Sequence, residues 1–197
     1  MNRSTIFALL LITLATRLVA ADEPQLPKPP EPTAEHRFLK RFAGEWECAN
    51  VGYLEGQEIK SKGTMSGKMI GEYWATISVT AETPGAPYRG QGTFGFDSQK
   101  TKKCFGTWTD SMSPFLWKYE GKIDGNKLIL GSEAPDPTDP NKMLKTLDTW
   151  EFKSDDLIVL TGQMEGEDGK MVTFMKSTCR RKTDGKKSRK KNSQKKK

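Results

Sequence analysis

The sequence predicts an all-β protein: a single antiparallel up-and-down barrel of about ten strands, preceded by one short helix. Three observations lead there. Apolar and polar residues alternate with a period of two, as in Tyr73, Ala75, Ile77 and Val79 against Trp74, Thr76, Ser78 and Thr80, the pattern of a half-buried strand. Turn formers recur at short, even spacing: Glu55-Gly56, Asp97-Ser98, Asp124-Gly125-Asn126, Ser154-Asp155-Asp156 and Asp168-Gly169. Such pairs suit hairpins because they tolerate positive φ. No second helical pattern is present to cover a sheet edge, and closing the sheet removes its edges. A two-sheet sandwich is the alternative.

The elements follow in order. Residues 1–21 read as a cleaved secretory signal, with basic Met1-Asn2-Arg3, an apolar run from Ile6 to Leu14 and a small-residue exit at Val19-Ala20-Ala21. The apolar run is too short to span a bilayer, which takes ~20 residues. The expected location is therefore secreted or periplasmic, with cleavage near Ala21. Residues 22–34 form a proline-rich linker, with Pro24, Pro27, Pro29, Pro30 and Pro32. Residues 35–180 are the barrel domain and 181–197 a basic disordered tail. Thr33 is placed to cap a helix whose Phe38, Leu39 and Phe42 share one face, ending by Gly44. Strands are expected at about 45–53, 58–66, 73–82, 87–96, 102–110, 115–123, 127–132, 143–153, 156–164 and 170–180. Gly90, Gly92 and Gly95 fall within one of them and mark bends or close backbone approach.

The net charge of +7 is unevenly spread. Residues 180–197 hold 11 basic side chains and one acid, or +10, whereas residues 22–179 hold 19 basic and 24 acidic, or −5. The body is mildly acidic and the tail strongly basic. Lys186, Lys187, Arg189, Lys190, Lys191, Lys195, Lys196 and Lys197 suit binding to an anionic lipid or acidic polysaccharide by counterion release. The tail has no aromatic residue to stack on bases, so no specific nucleic-acid partner is expected.

Chemistry is sparse. The single histidine, His36, lies in the leading helix outside the barrel, which leaves the body without a Ser-His-Asp or Cys-His arrangement, a histidine zinc site or a histidine haem ligand. No P-loop or nucleophile elbow occurs. The loop Asp136-Pro137-Thr138-Asp139-Pro140-Asn141 matches no calcium-loop spacing. The expectation is a monomer with no catalytic residues, metal or cofactor. The candidate ligand-lining residues are Trp46, Trp108, Asp110 and Met112; Asp110 follows Trp108 by two and so shares its face. The plain alternatives are core packing for the indole and strand-end capping for the acid.

Three cysteines, Cys48, Cys104 and Cys179, are widely separated and form no CxxC. Barrel closure brings the strand of Cys48 beside that of Cys179. Register decides whether their sulfurs meet; the expectation is adjacent strands without a bridge, and Cys104 free.

Four motifs carry a resemblance. Gly44-Glu45-Trp46, Met69-Ile70-Gly71-Glu72-Tyr73, Gly92-Thr93-Phe94-Gly95-Phe96-Asp97 and Trp108-Thr109-Asp110-Ser111-Met112, in that order and spacing, resemble an uncharacterised bacterial family known only as a domain of unknown function. The resemblance spans about residues 36–180 and implies a lipocalin-like or fatty-acid-binding-like barrel. It implies no activity. Where the family pattern has two glycines and an arginine, this chain has Ile70, Gly71 and Glu72, a charge reversal expected near a barrel mouth or wall. The functional expectation is a secreted, non-enzymatic barrel for a small apolar or amphipathic ligand. The alternative is a surface-associated structural protein held by its tail to an anionic envelope polymer.

Overall fold

The computed structural model describes residues 28–183, apart from 55, 84, 137, 138 and 140. The expected signal segment and nearly all of the basic tail lie outside the described residues. Within the unit that begins at Pro32, helix α1 (Ala34–Lys40) precedes ten strands: β1 (Gly44–Leu54), β2 (Gln57–Ile70), β3 (Trp74–Ala81), β4 (Tyr88–Phe96), β5 (Cys104–Asp110), β6 (Ser113–Asp124), β7 (Lys127–Pro135), β8 (Met143–Ser154), β9 (Leu157–Glu165) and β10 (Met171–Arg181). Each pairs antiparallel with the next, and β1 pairs with β10, so the sheet is a closed up-and-down barrel.

One end of the barrel is plugged. The helix is only seven residues long, too short to be stable by itself, and tertiary contacts hold it. His36 Nδ1 accepts the Thr33 backbone N–H at 2.9 Å, and its Nε2–H donates to the Phe96 carbonyl at 3.0 Å. Those two bonds fix the tautomer and tie the helix N-terminus to the end of β4. Below it, Phe42 meets Phe152, Trp150 and Phe94 with ring centroids 4.9, 5.5 and 6.3 Å apart. These mostly edge-on contacts suit aromatic quadrupoles. The Trp46 indole N–H donates to the Phe42 carbonyl at 3.1 Å. That carbonyl also lies against Gly67, where an added Cβ would sit 2.0 Å from its oxygen. Only glycine lets the β2 backbone accept the plug this closely.

The seam carries a covalent bond. Cys48 stands directly opposite Cys179 in the β1–β10 register, their Cα atoms are 4.0 Å apart and the sulfurs are bonded, closing a separation of 131 residues. The expected absence of a bridge is corrected: both cysteines occupy inward positions, so the register brings them together. Cys104 is free and wholly buried; burial pushes its thiol up to about 12, with Glu35 adding to the effect, so it stays protonated and unreactive.

The glycines of β4 admit the close approach that was one of the two roles expected of them. A Cβ on Gly90 or Gly92 would lie 2.3 or 2.5 Å from the Trp108 ring, and one on Gly95 would lie 2.3 Å from Trp74. Trp108 thus lies on the inner face of β4 and Trp74 on the outer, each covering bare backbone.

Titrating the thiols of denatured, unreduced protein should give one, from Cys104, and a count of three would refute the bridge. Replacing Cys48 and Cys179 with serine should lower the unfolding free energy by about 2–4 kcal/mol, measured by urea denaturation.

Candidate functional site

The half of the barrel away from the plug is built differently. Inward positions near the plug, such as Trp46, Ile77, Phe94, Leu128 and Ile158, are fully enclosed. Toward the other end five inward residues, Tyr88, Trp108, Asp110, Trp117 and Asp148, keep accessible surface, while Tyr119, Thr146 and Leu144 among them are buried. These side chains meet solvent at the lumen, at its mouth or at the parting between β6 and β7, whose pairing is confined to Glu120–Asp124 and Lys127–Gly131, so this half is the open one.

Alternation on each strand places the lining. Trp108 on β5 is paired with Trp117 on β6, which sets two indoles side by side. Phe115 packs edge-on against Trp117 at 5.3 Å. The Tyr88 hydroxyl, reaching back over Gly90, accepts the Trp108 indole N–H at 3.1 Å. Across β7, the Tyr119 hydroxyl donates to Asp148 Oδ2 at 2.8 Å. Asp110 Oδ1 accepts the Met112 backbone N–H at 2.8 Å. Ser111 accepts the Arg89 N–H on its Oγ and donates its own N–H to the Arg89 carbonyl. The Trp-x-Asp-Ser-Met element is therefore a corner that joins β4 to the β5–β6 turn while presenting Trp108 and Asp110 to the lumen.

Electrostatics bind these groups together. Burial pushes the Asp148 carboxyl up to about 6, opposed in part by the Tyr119 hydrogen bond. Burial, and next the neighbouring acid, raises both phenols: Asp110 acts on Tyr88 and Asp148 on Tyr119. On the same inward face of β8, two residues either side of Asp148, the Thr146 hydroxyl and the Trp150 indole N–H are buried without a hydrogen-bond partner. A buried polar atom without a partner costs about 1–3 kcal/mol, and such orphans mark a place for water or a ligand.

The sequence-predicted residues divide. Trp108 and Asp110 line the open half. Trp46 is wholly buried beneath the plug, with the Arg181 guanidinium 4.0 Å above its ring, and is core rather than lumen. Met112 lies in the β5–β6 turn, 69% exposed, at the rim rather than inside. The Ile70-Gly71-Glu72 departure falls between β2 and β3 at the plugged end, where Glu72 pairs with Lys40 at 3.8 Å, and not at the open mouth. The lysines and arginine 186–197 lie outside the described residues. Tyr88, Tyr119 and Asp148 were missed. The signal for Asp148 was present: it interrupts the uncharged inward series Leu144, Thr146, Trp150, Phe152 with an acid. Among the described residues no group of three or more His, Cys, Asp or Glu is placed to hold a metal, and no helix is long and apolar enough to cross a membrane. A hollow of about 280 Å³ beside α1, bounded by Glu35, Lys102 and Lys122 among others, is half open to solvent and offers none of these orphaned donors.

Fold and lumen define a small up-and-down β-barrel, plugged at one end and open at the other. The chain belongs to the family described as "Protein of unknown function (DUF1579)", which matches residues 31–181. No curated protein matches it. Among solved structures it is similar to Rv2717c from M. tuberculosis, with 10% identity and TM-score 0.55, covering 78% of this chain and 100% of that one. It is also similar to the S-type phycobiliprotein lyase CPES from Guillardia theta, with 13% identity and TM-score 0.51, covering 77% of this chain and 94% of that one. At these identities the likeness is one of fold.

The raised Asp148 gives a pH test. A carboxyl whose folded pKa lies above its unfolded value favours folding fully below pH ~4, and that contribution is lost as pH rises through ~6. Asp148→Asn keeps an acceptor for Tyr119 and carries no charge. Its stability relative to wild type should therefore rise between pH 4 and pH 7.5, by up to roughly 3 kcal/mol, measured by urea denaturation at the two pH values.

Proposed function

We propose that this chain is a secreted, non-enzymatic barrel that binds a small apolar or amphipathic molecule in the open half of its lumen. The observation that carries the reading is the contrast between the two ends: one is sealed by interlocked aromatics, the other keeps inward indoles and phenols accessible. The rim supports it. Of the large apolar residues exposed among the described ones, Leu54, Ile59, Met112, Leu116, Met143, Met171 and Val172 lie at the open end, against Ile70 and Trp74 at the plugged end. An apolar rim around a concave, mostly apolar site favours entry of an apolar body. Small barrels either fill with side chains or hold one ligand, and this one is filled on one side only. The signal-like residues 1–21 and the Cys48–Cys179 bridge fit an oxidising, extracytoplasmic setting.

A second reading rests on the +10 charge of residues 180–197: the tail holds the barrel to an anionic envelope polymer. Truncation from Thr183 should then abolish retention, with a steep salt dependence in the full chain. Equal release of both forms at low salt would remove it.

Titration with the neutral apolar fluorophore 1-aminoanthracene should show one saturable site with quenching of tryptophan emission. Trp117→Ala should weaken that site about tenfold, a change of ~1.4 kcal/mol, with the fold retained by circular dichroism. Absence of saturable binding, or binding indifferent to Trp117→Ala, would overturn the reading.

A further inference from the structure

We propose that the ligand class is an organic cation, an amine or quaternary ammonium with an apolar body and at least one hydrogen-bond acceptor. This rests on the lumen-binding reading and narrows it. Three independent features of the open half converge.

The first is charge. The charged groups on inward positions there, among the described residues, are two carboxylates, Asp110 on β5 and Asp148 on β8. The basic residues on the strands of the same half, Lys60, Lys62, Arg89, Lys118, Lys145 and Lys176, occupy outward register positions and are exposed, and Lys142 and Lys170 in the connections there are exposed and pair with Asp136 and Asp168. The Tyr119 hydroxyl and the Met112 amide donate to the two acids, but neither supplies a positive charge. A carboxylate kept in a low-dielectric wall without a cation is costly, so the lumen favours an occupant that brings one. An anionic or fatty-acid-like head group would meet two like charges.

The second is the aromatic wall. Trp108 lies with one face on the bare backbone of Gly90 and Gly92, which leaves its other face to the lumen. Its N–H is already given to Tyr88, so what it offers an occupant is the π-face. Trp117 stands beside it across the β5–β6 pair. Indole faces next to carboxylates attract a cation within about 6 Å of the ring, more strongly when the site is desolvated.

The third is the pair of orphans. The Trp150 indole N–H is a donor only and has no partner, and the Thr146 hydroxyl, four residues back on the same strand face, has none either. Both residues are more than nine-tenths buried or at that limit, at 4% and 9% exposed. A simple hydrocarbon amine leaves them unsatisfied; an ether, hydroxyl or carbonyl oxygen on the same molecule does not. Asp148 acts on Tyr119 of β6 and Tyr88 of β4, and Asp110 of β5 acts on the same two phenols. None of the three carries a positive charge, so protonation of Asp148 itself is the reaction that competes with the ligand's charge.

The test uses three dansyl probes on the full-length protein at physiological ionic strength, where the Debye length of ~8 Å limits tail effects. These are dansylcadaverine (cationic), dansylamide (neutral) and 11-(dansylamino)undecanoic acid (anionic), read by energy transfer from tryptophan. The cation should bind at least about tenfold more tightly than the neutral probe at pH 7.5. That preference, the ratio of cation to neutral affinity, should fall several-fold at pH 5 and should shrink about tenfold in Asp148→Asn and in Asp110→Asn. Circular dichroism certifies the fold of each variant. Equal affinity for cation and neutral probe, tighter binding of the anion, or a cation preference untouched by both substitutions would overturn the proposal and leave the lumen-binding reading standing. Failure of all three probes to bind would overturn both.

Discussion

Closure at the β1–β10 seam is the constraint on which the rest depends. An open ten-strand sheet would expose two edges and have no inside. Once β1 meets β10, every strand has a paired neighbour on both sides and inward side chains acquire a common volume. The seam is secured at two levels. Cys48 and Cys179 join opposite each other inside the wall. At the margin, Arg181 gives its guanidinium to the carbonyls of Arg41, Ala43 and Asp155 while lying over Trp46. The plug needs that ring: Phe42 touches residues from β4 and β8 at once, and only a closed wall places them around one point.

Sealing one end is what allows the other to remain unfilled. The aromatic floor supplies the close-packed interior that a domain of this size requires, and the open half then carries groups a core would exclude. Asp148 is held where its charge is unfavourable, with two orphaned polar atoms beside it. Such departures from good packing concentrate at functional sites, where stability is given up for binding. The buried histidine is a different case: both its nitrogens are engaged at the helix junction, so its role is structural.

The strands were legible because their period-two pattern is imposed by burial on one side, and the barrel because nothing else in the chain could cover the edges. What alternation does not specify is depth along the axis. Trp46 and Trp108 read alike in sequence, yet one lies beneath the plug and the other in the open half. Register was legible only as a possibility, so adjacency of Cys48 and Cys179 followed from topology whereas their bond did not. A bulge between Thr173 and Met175 moves Thr173 off the face it would share with Cys179 in a regular strand. The glycines of β4 were legible as sites of bending or close approach, but the indoles that make the approach come from β3 and β5, distant in sequence. Asp148 was legible, an acid on an otherwise non-ionic face, and needed only the alternation of β8 to be followed back from Phe152 to Leu144.

An even number of strands in an up-and-down barrel has a geometric result. The chain enters at Thr33 and leaves at Lys182, whose backbone N–H is bound to the Glu45 carbonyl, so entry and exit share the plugged end. The rim of Leu54, Met112 and Met171 faces the opposite way. The segments before Thr33 and after Lys182 therefore both join the barrel at its base, on the side away from the mouth.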